Sequence, residues 1–302
     1  MRAMIRHAVL VAALLAAAPA AAHGGEDHGT DWTLEPWIVL PLLVALVLFA
    51  IGWLALQKRA AHADLGRRAW LFLAGWLVLA LALLSPLHEA GERSFAAHML
   101  EHELIMLLAA PLLVLSRPAV ILLWGFSRGT RRVIGAGVAA RPVRALWHWL
   151  TGAIPATFIQ AVVLWTWHMP ALFDLALGSE AWHAAQHASF LASALLFWTA
   201  MIGDARGRPE GLAKAALCLF ASSLVSGVLG ALMAFSQSPW YAPYAALGMA
   251  PYGLTPTEDQ QIAGLIMWIP GGLVHAAAAL AAVFVLLRNT ASPKEPASAR
   301  QS

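Results

Sequence analysis

Cysteine is all but missing from this chain. Cys218 stands alone in 302 residues, which excludes disulfides, thiolate zinc sites, iron–sulfur clusters and CxxC metal carriers. Charge is scarce too: 12% of the residues are Asp, Glu, Lys or Arg, against about 25% in an ordinary soluble domain. Such a chain is not a water-soluble enzyme, a disordered regulator or a nucleic-acid binder. A Gly-rich phosphate loop, a nucleophile–base constellation and an internal repeat are also lacking. What is abundant is apolar. Hydrophobic residues make up 60% of the chain and Trp occurs 14 times, and indole rings favour the headgroup level of a bilayer. The composition is that of an all-α integral membrane protein.

The first segment reads as a targeting signal. Arg2 and Arg6 precede an apolar run at Ala8–Ala17, and Ala20-Ala21-Ala22 offers a small-residue cleavage site before His23. Residues 1–22 are therefore expected to be a signal peptide, and 23–35 a His- and acid-rich leader outside the cytoplasm. Seven stretches follow that are long enough for about 30 Å of hydrocarbon: 36–56, 70–87, 95–115, 146–167, 184–203, 212–235 and 260–287. Pro111, Pro155 and Pro270 lie within or near them and are expected to kink them. Residues 119–140 are too short in apolar run and too basic to cross, and read as interfacial.

The Lys and Arg count orients the bundle. Loop 57–69 holds four, loop 116–145 six, loop 204–214 three and the tail 288–302 three, against Arg93 alone on the other side. The positive-inside rule then places the mature N-terminus outside and the tail in the cytoplasm. Twelve of the sixteen carboxylates and eight of the twelve histidines fall on the outer side, which attracts cations.

Three outer segments carry metal chemistry. His98-Met-Leu-Glu-His102 sets two imidazoles at i, i+4 on one helix face, in reach of a single ion. His183-Ala-Ala-Gln-His187 repeats the spacing, and His168 stands where the fourth span emerges. Imidazole with thioether suits copper, while imidazole alone also suits zinc. Met106 continues the first stripe a turn deeper. His275 lies near the middle of the last span, where a polar group is expensive, with Met267 two turns outward. Glu258 and Asp259 open that last helix, where a carboxylate favours the helix N-terminus. His88, His62 and His148 read as lone interfacial residues. His98-x-x-Glu101-His102 formally matches an inverted zinc-peptidase pattern, but the chain has no soluble domain to supply a third ligand.

Several of these runs are familiar together. His98–His102 with Ala110-Pro111 and Arg117-Pro118, the block Trp167-His168-Met-Pro-Ala-Leu-Phe173 with His183, His187, Phe190 and Trp198, and Glu258-Asp-Gln-Gln261 with Ala263-Gly264, Met267-Trp268 and Pro270-Gly-Gly272 appear in order. From about residue 90 to 287 the chain resembles the multi-spanning CtaG-type cytochrome c oxidase assembly factors. These are distinct from the single-span copper chaperone that shares the name. The resemblance implies a non-enzymatic bacterial plasma-membrane protein that helps copper reach a haem–copper oxidase, with oxidase subunits and the lipid bilayer as partners. On that reading His98, His102, His183 and His187 hold copper, His168 and Asp259 serve as exchange or outer ligands, and loop 236–257 is a flexible gate. Three alternatives stay open. They are copper transport through Met106, Met267 and His275, a b-type cytochrome with His98 or His102 paired to His183 or His187 across one haem, and a metal-free assembly scaffold.

Overall fold

The computed structural model describes residues 32–59, 64–204, 209–249 and 253–291. The expected signal, most of the leader including His23 and His28, and the tail beyond 291 lie outside the described residues.

Helices α1 (Pro36–Gln57) and α2 (Leu65–Leu84) lie side by side, with Trp76 Nε1 donating to the Leu42 carbonyl (2.9 Å) and Trp53 Nε1 to that of Leu65 (3.3 Å). Ser85 stops α2 in an extended conformation, and its hydroxyl accepts from Leu87 N to cap α3 (Pro86–Arg93). Pro86 sits at the first helical position, where its missing N–H costs nothing.

The next rod has three parts: α4 (Phe95–Glu103), a π stretch (Leu104–Ala109) and α5 (Ala110–Ser116). Proline explains the change of register. Pro111 has no N–H to give, and the π turn before it lets Ala110 N reach back five residues to the Ile105 carbonyl. In that register Met106 O would be served by residue 111, which is proline. The carbonyl is rescued from another helix, by Trp198 Nε1 at 2.9 Å. Arg117 then turns through the left-handed region (φ 49°) into α6 (Pro118–Gly125). That helix lies against α1 where only glycine fits, because a Cβ on Gly52 would run into the Ile121 carbonyl and one on Gly125 into that of Leu48.

The basic α7 (Arg128–Ala139) and α8 (Arg141–Leu150) have no buried residue. Arg131 stacks over Trp124, with its guanidinium carbon 3.9 Å from the ring centroid. After Gly152, which is extended, α9 (Ala153–Trp167) departs at 68° to α8. The expected span 146–167 is thus divided. Residues 146–150 belong to α8, and Gly152 and Pro155 set the break. The short α10 (Pro170–Leu177) leads to α11 (Glu180–Asp204), followed by α12 (Pro209–Ala234), the short α13 (Ala242–Leu247) and the long α14 (Pro256–Ala291).

Six of these units are long and apolar enough to cross a bilayer, and seven if α8 and α9 together make one span. Their outer faces carry large exposed apolar side chains such as Leu77, Phe158, Phe220, Leu273 and Phe284. In water such a surface would aggregate, and in lipid it is satisfied. Helices α12 and α14 make the most intimate contact. A Cβ on Gly264 would stand 2.5 Å from the Gly230 carbonyl and 2.6 Å from Ala234 N, a close approach of the kind small residues permit in membranes. The largest core joins α4, α9, α11, α12 and α14 around Phe95, Phe173, Phe190, Phe197, Trp198 and Tyr241. Aromatic rings close it at one end of the bundle, directly beside the histidines.

Candidate metal centre

Three elements deliver the polar groups to one place, and a fourth holds one of them in position. Helix α3 carries His88, α4 carries His98, Glu101 and His102, and α11 carries His183 and His187. The fourth element, α14, contributes through Asp259, which does not join the cluster. Its Oδ1 accepts from the Ser94 hydroxyl (2.7 Å) and its Oδ2 from Phe95 N (2.6 Å), while Ser94 Oγ accepts from Ala97 N (3.2 Å). Asp259 therefore caps α4 across the bundle, where a carboxylate meets the positive helix end, and fixes the helix that bears three of the site residues. Asp259, expected as an outer or exchange ligand, is engaged with the start of α4 through both its oxygens. Glu258 closes its own helix by accepting from the backbone and hydroxyl of Thr255.

The imidazoles pack ring against ring. Centroids of His98 and His102 are 4.4 Å apart, as are those of His183 and His187. Across the helices, His98 lies 5.2 Å from His183 and His102 5.0 Å from His187. Ligand atoms of His98, His183 and His187 fall within 4.8 Å of one another, and so do those of His88, Glu101 and His187. His187 belongs to both groups. The i, i+4 pairs do face each other, and the site lies inside the bundle rather than on its surface: His98, Glu101 and His102 are buried to within 1%.

Two members were not expected. His88, read as a lone interfacial residue, stacks on His183 at 5.2 Å and donates through Nδ1 to Glu101 Oε1 at 2.8 Å. Burial works against its imidazolium, but the Glu101 hydrogen bond and charge, with Glu89 and Glu92 nearby, outweigh it and hold His88 above its ordinary value. Glu101 also approaches His187 Nδ1, at 3.7 Å. A signal for Glu101 existed in the sequence, because a carboxylate one turn inside an apolar helix demands a partner. His88 carried only its membrane level.

His168 stands apart from the cluster, against Phe173 and Phe190, which also touch His98 and His102. Its Nδ1 donates to the Leu164 carbonyl (2.7 Å), so Nε2 presents a lone pair to Met99 Sδ at 3.4 Å. Burial holds this imidazole down at about 4, against the Leu164 bond, which favours the charged form. Met106 and His275 line a separate cavity deeper in the bundle, and Met267 is part of the core. The stretch expected to gate the site is tied down in its described part. Tyr241 and Tyr244 donate to the carbonyls of His168 and Gly91, Gln260 accepts from Trp240 N, and Gln261 donates to Ser236 O.

Both ring nitrogens of His98 and His102, Nε2 of His183 and His187, and Glu101 Oε2 are buried with no hydrogen-bond partner. Gln186 flanks His98 without an aligned bond. Each such group costs about 1–3 kcal/mol, and native structures hold few of them. A converging set of imidazole lone pairs beside one carboxylate fits a borderline or soft metal ion, copper or zinc. Such an ion would be held by His98, His183 and His187, with His102 next to them and Glu101, which His88 orients, beside His187.

Among known proteins, a family model described as cytochrome c oxidase caa3 assembly factor (Caa3_CtaG) matches residues 47–289, which is most of the chain. No curated protein and no solved structure matches it.

Proposed function

The chain belongs to the cytochrome c oxidase caa3 assembly factor family, and we propose that it serves its oxidase by capturing a copper ion in the imidazole cluster and passing it to an oxidase subunit. It does so as a seven-span protein of the bacterial plasma membrane, with the cluster towards the outer face and the basic loops in the cytoplasm. The carrying observation is that seven ring and carboxylate atoms are buried there without partners, and that ligand atoms of His98, His183 and His187 lie within 4.8 Å of one another. Rings packed 4.4 to 5.9 Å apart favour one ion over a macrocycle inserted between them.

The residues divide the work. Glu101 supplies the negative charge that a cation needs in a low-dielectric site, and His88 keeps its carboxylate turned inward. His168 and Met99, with the rings of Phe173 and Phe190 between His168 and the cluster, form a nitrogen–sulfur pair with no proton between them, a donor set that suits Cu(I). Hand-over then proceeds by ligand exchange, in which the ion is passed from imidazoles to the softer pair and on to the acceptor.

Copper content of the detergent-purified full chain tests this. Wild type is expected to carry about one equivalent after expression with copper, and His102→Ala/His187→Ala to carry little while its level in the membrane is unchanged. Undiminished copper in that double variant overturns the ligand assignment.

A further inference from the structure

A second polar cavity lies deeper in the bundle, among the π stretch, α9, α12 and α14. It shares no lining residue with the imidazole cluster and has about 20 Å³ of space open to the centre of a water-sized particle, enough for one small occupant. Glu103, Gln160, Ser222, Ser226 and His275 supply its polar wall. The Glu103 carboxylate lies over Gly271, with Oε2 3.4 Å from where a Cβ would be.

The cavity has acceptors in excess. Glu103 Oε2 and Gln160 Oε1 are buried with no partner, in side chains more than nine-tenths buried. His275 donates through Nδ1 to the Gly271 carbonyl (2.7 Å), which leaves Nε2 as a lone pair, 3.5 Å from Ser222 Oγ. The Ser226 hydroxyl is turned away and donates to backbone carbonyls of its own helix. Ser222 and the Gln160 amide carry the free protons, against lone pairs on Glu103, Gln160 and His275. A cation satisfies all of them at once.

We propose that this cavity is an intramembrane site for a monovalent cation of sodium's size. One carboxylate balances one positive charge, whereas a divalent ion would leave net charge in a medium where it is costly. Carboxylate, amide and hydroxyl oxygens suit a hard ion. The site ties α9, α12 and α14 to the rod that bears His98, Glu101 and His102, and it does not depend on copper being the ion of the cluster.

Binding of radioactive sodium to the full chain in detergent reads this directly. Wild type is expected to bind one equivalent that excess NaCl displaces and that KCl and choline chloride do not. Glu103→Gln should lose the displaceable binding, and Ser222→Ala, a gentler change, should weaken it about tenfold, with copper content the same in all three proteins. Absence of displaceable sodium in wild type, its persistence in Glu103→Gln, or equal displacement by KCl or by Cu(I) overturns the proposal. Loss of copper in His102→Ala/His187→Ala with sodium binding intact separates the two sites.

Discussion

At the scale of residues, the site is a matter of which lone pairs are used. His168 is neutral because burial holds it at about 4, well under the ordinary 6.5. Between those values the unfolded chain binds more protons than the folded one. Its contribution is therefore complete above about pH 6.5 and is lost as pH falls towards 4, about 3 kcal/mol at most. His168→Gln should flatten the fall in melting temperature of the purified protein between pH 7 and 4.5. The same fall in both proteins would show that this ring does not set the acid sensitivity. Glu101 invites a second measurement. Glu101→Gln removes the carboxylate that His88 holds against His187 and should weaken copper retention at least tenfold against a competing chelator. Its i, i+3 and i, i+1 neighbours His98 and His102 were legible as a pair from spacing alone. The Glu101 partnership with His88 was not, because no local period links residue 88 on one helix to 101 on another.

Helices and their joints carry two more tests. Pro111 leaves the Met106 carbonyl without a donor in its own rod, and Trp198 supplies one from α11. Trp198→Phe keeps most of the ring and loses the N–H, so it should destabilise the protein by about 1–3 kcal/mol. A lowered melting temperature with unchanged copper stoichiometry is the expected reading, and no shift would remove the rescue of that carbonyl. Asp259 does for the start of α4 what Trp198 does for its middle. Asp259→Ala should cost about 0.5–2 kcal/mol as a lost cap and reduce copper occupancy by letting the His98–His102 turn shift. Asp259→Asn, which still accepts a hydrogen bond, should restore part of both, as a positioning role requires. The sequence marked Asp259 as a helix-terminal carboxylate, but the helix it caps is α4, 165 residues from Ser94 to Asp259 along the chain, and no local rule reaches that far.

The whole molecule sets one polar end against one basic end. Arg59 and Arg131 gather on Trp124, away from the imidazoles by a span's length along α1 and along the α4–α5 rod. If the positive-inside orientation holds, an impermeant maleimide added to intact cells labels Gln237→Cys but not Gly129→Cys in a Cys218→Ala background. Permeabilised cells label both, and the reverse pattern in intact cells inverts the topology. The single native cysteine makes this experiment simple.

Composition and the placement of apolar runs were enough to establish a helical membrane protein, because lipid demands internally satisfied backbone and long apolar segments. Motif order was enough for the family. Spacing along single helices located the paired histidines, since a 3.6-residue period is a local property. Only the tertiary structure decided that His88 and Glu101 join them, that Asp259 is a cap, that His168 pairs with Met99, and that α8 and α9 bend apart. Those outcomes depend on the rotation and depth at which distant helices pack, and packing between segments far apart in the chain sets both.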